Sequence, residues 1–268
     1  PSGVGAALRR RVTGSTLSEN RPGTVIRRAR DGGGMRIPSG VSGFDHLVQG
    51  GFLPGRLYVL SGPPGSGKTT FTAQFVAEGL RNGEDCLYVT MHESRDELAE
   101  DMSSYDFGFE TLSTSEQFRF VNLTSKRAER MLSQSSGGGG PSSVQALSDK
   151  LVGFVNARDV ERLVIDSTML LELFFAEGDA EMTRSLTALK GCNATTLLIS
   201  EMTDPSAYSD EHFLAHGVVF FHNYLEATGM TRGIQFVKMR GTDIDCDIRS
   251  LRFTDEGLVI DPTKRVNF

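Results

Sequence analysis

Several scarcities narrow what this chain can be. Cysteine is nearly missing: Cys86, Cys192 and Cys246 are odd in number, scattered, and without C-x-x-C spacing. That argues against a disulfide framework or a zinc site and suits a reducing, cytoplasmic setting. No apolar run approaches the ~20 residues of a membrane-spanning helix, and the first residues show no signal-peptide pattern, so neither insertion nor export is expected. Net positive charge is lacking as well. The balance is −6, which disfavours a general nucleic-acid binder. Lysine is sparse beside arginine, six against 22, a bias to which no function is attached.

What charge there is lies unevenly. Residues 1–34 are Gly- and Arg-rich and carry +5, leaving −11 on the remainder. They read as a basic, flexible arm ahead of one folded domain over 35–268, either solvated or docked on a neighbouring subunit or an acidic partner. Ser133 to Ser143 is low-complexity and reads as a surface loop, because strand–helix alternation resumes after it.

The most informative stretch is Gly62-Pro63-Pro64-Gly65-Ser66-Gly67-Lys68-Thr69-Thr70, which fits G-x-x-x-x-G-K-[ST]. Its glycines let backbone N–H groups close around phosphate oxygens without a Cβ in the way. Lys68 is then placed for the β- and γ-phosphates and Thr69 for Mg²⁺, at the start of a helix whose N-terminus favours anions. The context fits. Leu57 to Ser61 reads as a buried strand, and Phe71, Phe75 and Leu80 recur at helical spacing up to Asn82-Gly83.

Further strands are expected over 85–91, 118–123, 162–166 and 195–200, with helices over 144–157 and 179–191. Ser94-x-x-Glu97 is a capping-box signature for one more helix. The last third, with strands over 218–223, 234–240, 249–253 and 258–260 joined by short turns, reads as antiparallel. The fold class is therefore α/β: a mostly parallel central sheet, helices on both faces, and antiparallel C-terminal strands.

Asp166 ends an apolar strand and is a candidate Mg²⁺ ligand beside Thr69. Glu93, just after the second strand, is the candidate to orient or deprotonate water. Lys238 and Arg240 stand two apart on a strand, either a solvated basic face or a pair of cations for a phosphate. His212 and His216 lack H-E-x-x-H spacing, so a metal site there is not expected.

Four stretches together resemble the KaiC/GvpD-like branch of RecA-superfamily ATPases. They are Ile37–Gly55 with its Gly-Phe-Asp, the phosphate loop, Val164-Ile165-Asp166-Ser167, and Lys238-Met239-Arg240-Gly241-Thr242 followed by Asp247-Ile248-Arg249. The resemblance implies a ring, usually hexameric, with ATP and Mg²⁺ between subunits. It implies that Lys238 and Arg240 reach the γ-phosphate from the adjacent copy, with Met239, Thr242 and Asp255 near the base or ribose. The family has two consecutive glutamates where this chain has His92-Glu93, a departure that bears on hydrolysis and not on binding. The region around His212-Phe213 lacks the neighbouring Ser and Thr that become phosphorylated in KaiC, so autophosphorylation is not expected.

Three functions follow as expectations: a slow ATPase acting as a regulatory switch read by a protein partner, an assembly scaffold with little turnover, and a DNA motor. Acidic residues in the loops after the fourth and fifth strands (Glu172, Glu177, Asp204, Asp210 and Glu211 among them) disfavour DNA.

Overall fold

The computed structural model describes residues 35–124, 144–168, 179–204, 206–226 and 229–266. The basic arm and the 133–143 stretch lie outside the described residues.

The organising element is β1 (Leu57–Gly62), buried at every position. A parallel strand covered on both faces has no polar side, which is why its sequence runs apolar without alternation. It is followed directly by α2 (Lys68–Arg81), after the short α1 (Phe44–Leu47) that precedes the sheet. Then come β2 (Cys86–Thr90), α3 (Arg95–Met102), α4 (Phe109–Leu112) and β3 (Phe118–Asn122). After these, α5 (Val144–Ala157), β4 (Arg162–Asp166), α6 (Asp179–Lys190), β5 (Thr195–Glu201) and α7 (Asp210–Leu214) alternate. The chain closes with β6 (Gly217–Glu226), β7 (Gly229–Met239), β8 (Arg249–Thr254) and β9 (Gly257–Arg265).

All nine strands form one sheet in the order β3-β2-β4-β5-β1-β6-β7-β8-β9. From β3 to β6 every pairing is parallel, and from β6 onward every pairing is antiparallel. The expected α/β architecture thus forms, with longer C-terminal strands than the turn signals suggested. The expected capping box also forms: Glu97 N–H donates to Ser94 Oγ (3.2 Å) while Ser94 N–H donates to Glu97 Oε2 (2.7 Å).

The two faces have separate cores. Tyr58 and Leu60 of β1 pack with Phe71 and Phe75 of α2 and with residues of α1, α3 and α4. Leu57 and Val59 point the other way, to Val155 of α5, Leu186 and Leu189 of α6 and Leu214 of α7. Strand alternation alone produces this division. Phe44, Phe52, Phe71 and Phe75 form an aromatic cluster with centroids 5.0–6.4 Å apart, which seats α2 on the sheet. Losing Phe71 or Phe75 to alanine would cost ~3–5 kcal/mol by cavity formation. One buried cation crosses this core: Arg162 donates to the Pro38 and Phe75 carbonyls (2.8 and 2.7 Å), pairs with Glu84, and lies over the Phe75 ring.

Candidate functional site

In open parallel sheets the crevice beyond the strand C-termini is where ligands sit. Here that end of β1 carries residues 62–70. Gly62 and Gly67 take φ of 149° and 106°, and a Cβ on Gly62 would fall 2.4 Å from the Phe221 carbonyl oxygen. Lys68 is buried, and its Nζ donates to the carbonyls of Gly62 (2.7 Å) and Pro63 (2.9 Å). Those two bonds leave the third ammonium N–H for the cleft. Burial lowers the Lys68 pKa, while Glu201 and then Asp166 pull it back up. Ser66 Oγ is buried with no partner among the described residues. An orphaned hydroxyl inside a ring of backbone amides fits a site that accepts an oxyanion. The cleft measures about 280 Å³ and is bounded by Gly65, Lys68, Thr69, Thr70, Asp166 and Glu201, with Phe253 closing one side.

Asp166 sits where the sequence placed it. Its Oδ2 lies 3.4 Å from Thr69 Oγ1 and accepts from the Tyr88 hydroxyl at 2.9 Å. Burial pushes its carboxyl up, against the hydrogen bond from Tyr88 and the nearby charge of Lys68. Among the described residues no three His, Cys, Asp or Glu side chains converge as a metal cage. One hydroxyl and one carboxylate beside a phosphate cradle are the donor set that suits Mg²⁺, which keeps most of its water and shares phosphate oxygens.

Glu93 follows β2, whose last residue Thr90 pairs in register with Asp166, so both carboxyls come to the same corner. Its pKa is pushed up to about 7 by burial, then by Asp166, Asp101 and Glu97. Asn122 Nδ2 holds the Glu93 carbonyl at 2.7 Å. His92 Nε2 lies 3.3 Å from Ser167 Oγ.

The remaining candidates divide. Asp255 is on the phosphate-loop side, in the β8–β9 turn two residues from Phe253, and its carbonyl accepts the Asp106 N–H at 2.7 Å. Lys238, Met239, Arg240 and Thr242 are at the other end of the sheet. Met239 pairs with Gly217 and is buried in the protein's own core. Thr242 Oγ1 accepts from Arg36 Nη1 at 2.7 Å. Lys238 pairs with Val218, and its Nζ donates to the carbonyls of His212 and Phe213, both at 2.9 Å. Arg240 lies one residue past the end of β7 and is exposed, its N–H bonded to the His216 carbonyl at 2.8 Å.

These cations have company. Arg56 Nη1 lies 3.0 Å from His216 Nε2. Burial, then Arg56, Lys190, Arg240 and Lys238, hold the imidazole neutral down to about 4. None of the four cations pairs with a carboxylate among the described residues. His212 and His216 do not converge, since the His212 ring turns to Ser61 instead (2.7 Å).

Sequence reasoning missed Glu201 and Tyr88. Glu201 ends the buried run Thr195-Thr196-Leu197-Leu198-Ile199-Ser200-Glu201 as Asp166 ends its own, and register places it opposite Gly62. That strand-end position was the available signal. Tyr88 had none, being one aromatic residue in an apolar strand.

A family model described as "ATPase: KaiC" matches residues 37–265. Circadian clock protein KaiC3 of Synechocystis sp. is 28% identical over 217 residues, covering 78% of this chain and 42% of that protein. The UPF0273 protein of Thermotoga maritima is 26% identical over 238 residues, covering 85% of this chain and 97% of that protein. A crystal structure of a KaiC-like protein from the hyperthermophilic archaeon Pyrococcus horikoshii OT3 superposes with a TM-score of 0.70 at 29% identity, covering 85% of this chain and 99% of that one. The chain thus spans less than half the length of the circadian-clock relative.

Proposed function

The chain belongs to the KaiC ATPase family, and on that premise we propose that it hydrolyses ATP at the interfaces of a homo-oligomeric ring, hexameric by resemblance, and serves as a regulatory switch. The observation that carries this reading is the division of the site. Phosphate loop, Thr69, Asp166 and Glu93 stand at one end of the sheet, and the backbone of Lys238 and Arg240 stands at the other, in a cluster without carboxylate partners among the described residues. Cations so placed cannot serve their own loop, but a second copy brings them to it.

In this reading the loop amides and Ser66 hold the phosphates, and Lys68 adds its charge at the β- and γ-oxygens. Thr69 and Asp166 would hold Mg²⁺, which supplies charge neutralisation between the β- and γ-phosphates when bound. Glu93 accepts a proton from the water that attacks the γ-phosphorus as the bond to the β–γ bridging oxygen breaks. The neighbour's Lys238 and Arg240 stabilise the charge moving onto that oxygen. The half-buried Thr242 and the exposed Asp255 lie at the two edges that would flank base and ribose, and the Thr242 N–H donates to the Met239 carbonyl at 3.2 Å. With His92 in place of the family's first glutamate, Glu93 is the one member of that pair left to act on water, and turnover is slow.

One observation favours the scaffold reading: that same His92 lies 3.3 Å from Ser167 Oγ and brings no second carboxylate to the site. The DNA-motor reading has less behind it, though Glu211 is buried and adds nothing to surface charge. Sizing by light scattering with and without ATP and Mg²⁺, together with phosphate release by wild type and Glu93→Gln, separates them. A monomer under every nucleotide condition would sink the ring; equal, near-background release would favour the scaffold.

A further inference from the structure

Lys238 is not held by its own strand alone. Its two hydrogen bonds go to carbonyls of α7, and α7 is fastened to the strands that end at the phosphate cleft. Ser61 of β1 and Ser200 of β5 are register partners, and each turns a hydroxyl to α7. Ser61 Oγ lies 2.7 Å from His212 Nε2, and Ser200 Oγ donates to Glu211 Oε1 at 2.9 Å. All four side chains are at least nine-tenths buried. The residues immediately after the two serines are Gly62, the first of the phosphate loop, and Glu201, which lines the cleft.

The network also sets the histidine tautomer. Ser209 N–H donates to His212 Nδ1 at 3.1 Å, which makes Nδ1 the acceptor and leaves the proton on Nε2 to donate to Ser61. Burial lowers the ring's pKa, against the pull of the Glu211 carboxylate 3.7 Å from Nδ1, and so favours the neutral form. A neutral, oriented imidazole is thus a rigid strut between the strand that bears the phosphate loop and the short helix that grips Lys238. The Lys238 ammonium has one N–H left after its two α7 bonds, so α7 aims that donor without consuming it.

We propose that His212 is a positioning residue that links a protomer's own phosphate loop, through Ser61 and α7, to the Lys238 it offers the adjoining copy's nucleotide. The inference rests on the reading of Lys238 as a cation acting across the interface. Its chemical content is specific. Movement of Gly62 or Glu201 when a triphosphate fills one cleft displaces α7, and α7 re-aims the lysine that serves the next cleft.

A double-mutant cycle tests this, with ATP hydrolysis and fluorescent-nucleotide binding measured on the full chain. Lys238→Ala should lower kcat about tenfold or more with nucleotide affinity within about twofold. His212→Leu should reproduce that split, and the double variant should be no slower than Lys238→Ala alone. His212→Gln, which keeps a donor for Ser61, should restore much of kcat. Additive losses, or a His212→Leu defect confined to KM, would overturn the inference while leaving the interface reading intact. Unchanged turnover in Lys238→Ala would overturn both. Should His212→Leu fail to fold, Ser61→Ala removes the same link by deleting one hydroxyl and is read by the same two criteria.

Discussion

Lys68 and Lys238 belong to opposite ends of one sheet. Lys68 follows the C-terminal end of β1, whereas Lys238 pairs with Val218, which in turn lies beside Val59, three residues before Gly62. With ~3.3 Å per residue along a strand and ~4.8 Å between strands, Lys238 is on the order of 14 Å from Gly62 in the backbone, and its ammonium is turned to α7. In the proposed ring, the two cations of one site would come from two copies.

Complementation in mixed rings tests that arrangement most directly. Lys68→Ala and Arg240→Ala should each be inactive alone. Mixed in equal amounts and allowed to reassemble, they create interfaces that join an intact loop to an intact Arg240, about a quarter of the total for random heterologous assembly. Phosphate release should recover toward that fraction. No recovery in rings shown to be mixed would place both residues in one protomer's site.

Lys68→Ala should also weaken binding of a fluorescent ATP analogue by roughly 100-fold, the scale of a lost charged contact of about 3 kcal/mol. Affinity equal to wild type would remove the phosphate loop from the argument.

The elevated Glu93 carboxyl makes a pH prediction. Below about 7 the side chain is mostly protonated and cannot accept a proton; above it the ionised base dominates. At saturating ATP, turnover should rise with pH through about 7 and then level off. Glu93→Gln should be slower by ~10²-fold or more and should lose that rise. A wild-type profile flat from pH 6 to 8 would assign proton transfer elsewhere.

Gly79→Ala sets two effects against each other in α2. Helix propensity favours alanine by ~1 kcal/mol. The added Cβ, however, would lie 2.5 Å from Arg162 Cδ and 2.8 Å from Cys86 Sγ, and Arg162 is fully buried with its head bonded to two carbonyls. Overpacking of that kind costs ~1–3 kcal/mol, so the steric term wins. The expected result is a Tm lower by about 2–6 °C, measured by calorimetry. A raised Tm would mean that Arg162 yields more easily than its bonds suggest.

The strand–loop–helix at 57–81, the mostly parallel character of the sheet and the places of Asp166 and Glu93 at strand ends were all legible locally. Each depends on short-range rules: apolar runs, glycine conformations, and a carboxylate at a strand end. The capping box at Ser94 was legible for the same reason. By contrast, Glu201 beside Gly62, Tyr88 on Asp166, and the cluster of Arg56, Lys190 and His216 around Lys238 join residues from separate strands and loops. No spacing in the chain encodes those distances.

The sequence by itself determined that a phosphate loop exists, that a sheet would carry it, and which side chains were chemically suited to serve it. Only the tertiary structure decided which of those side chains can act together, because strand order and register set the sheet's two ends apart. That geometry sends Lys238 and Arg240 away from Lys68, and it fastens α7 to the strand beneath the loop.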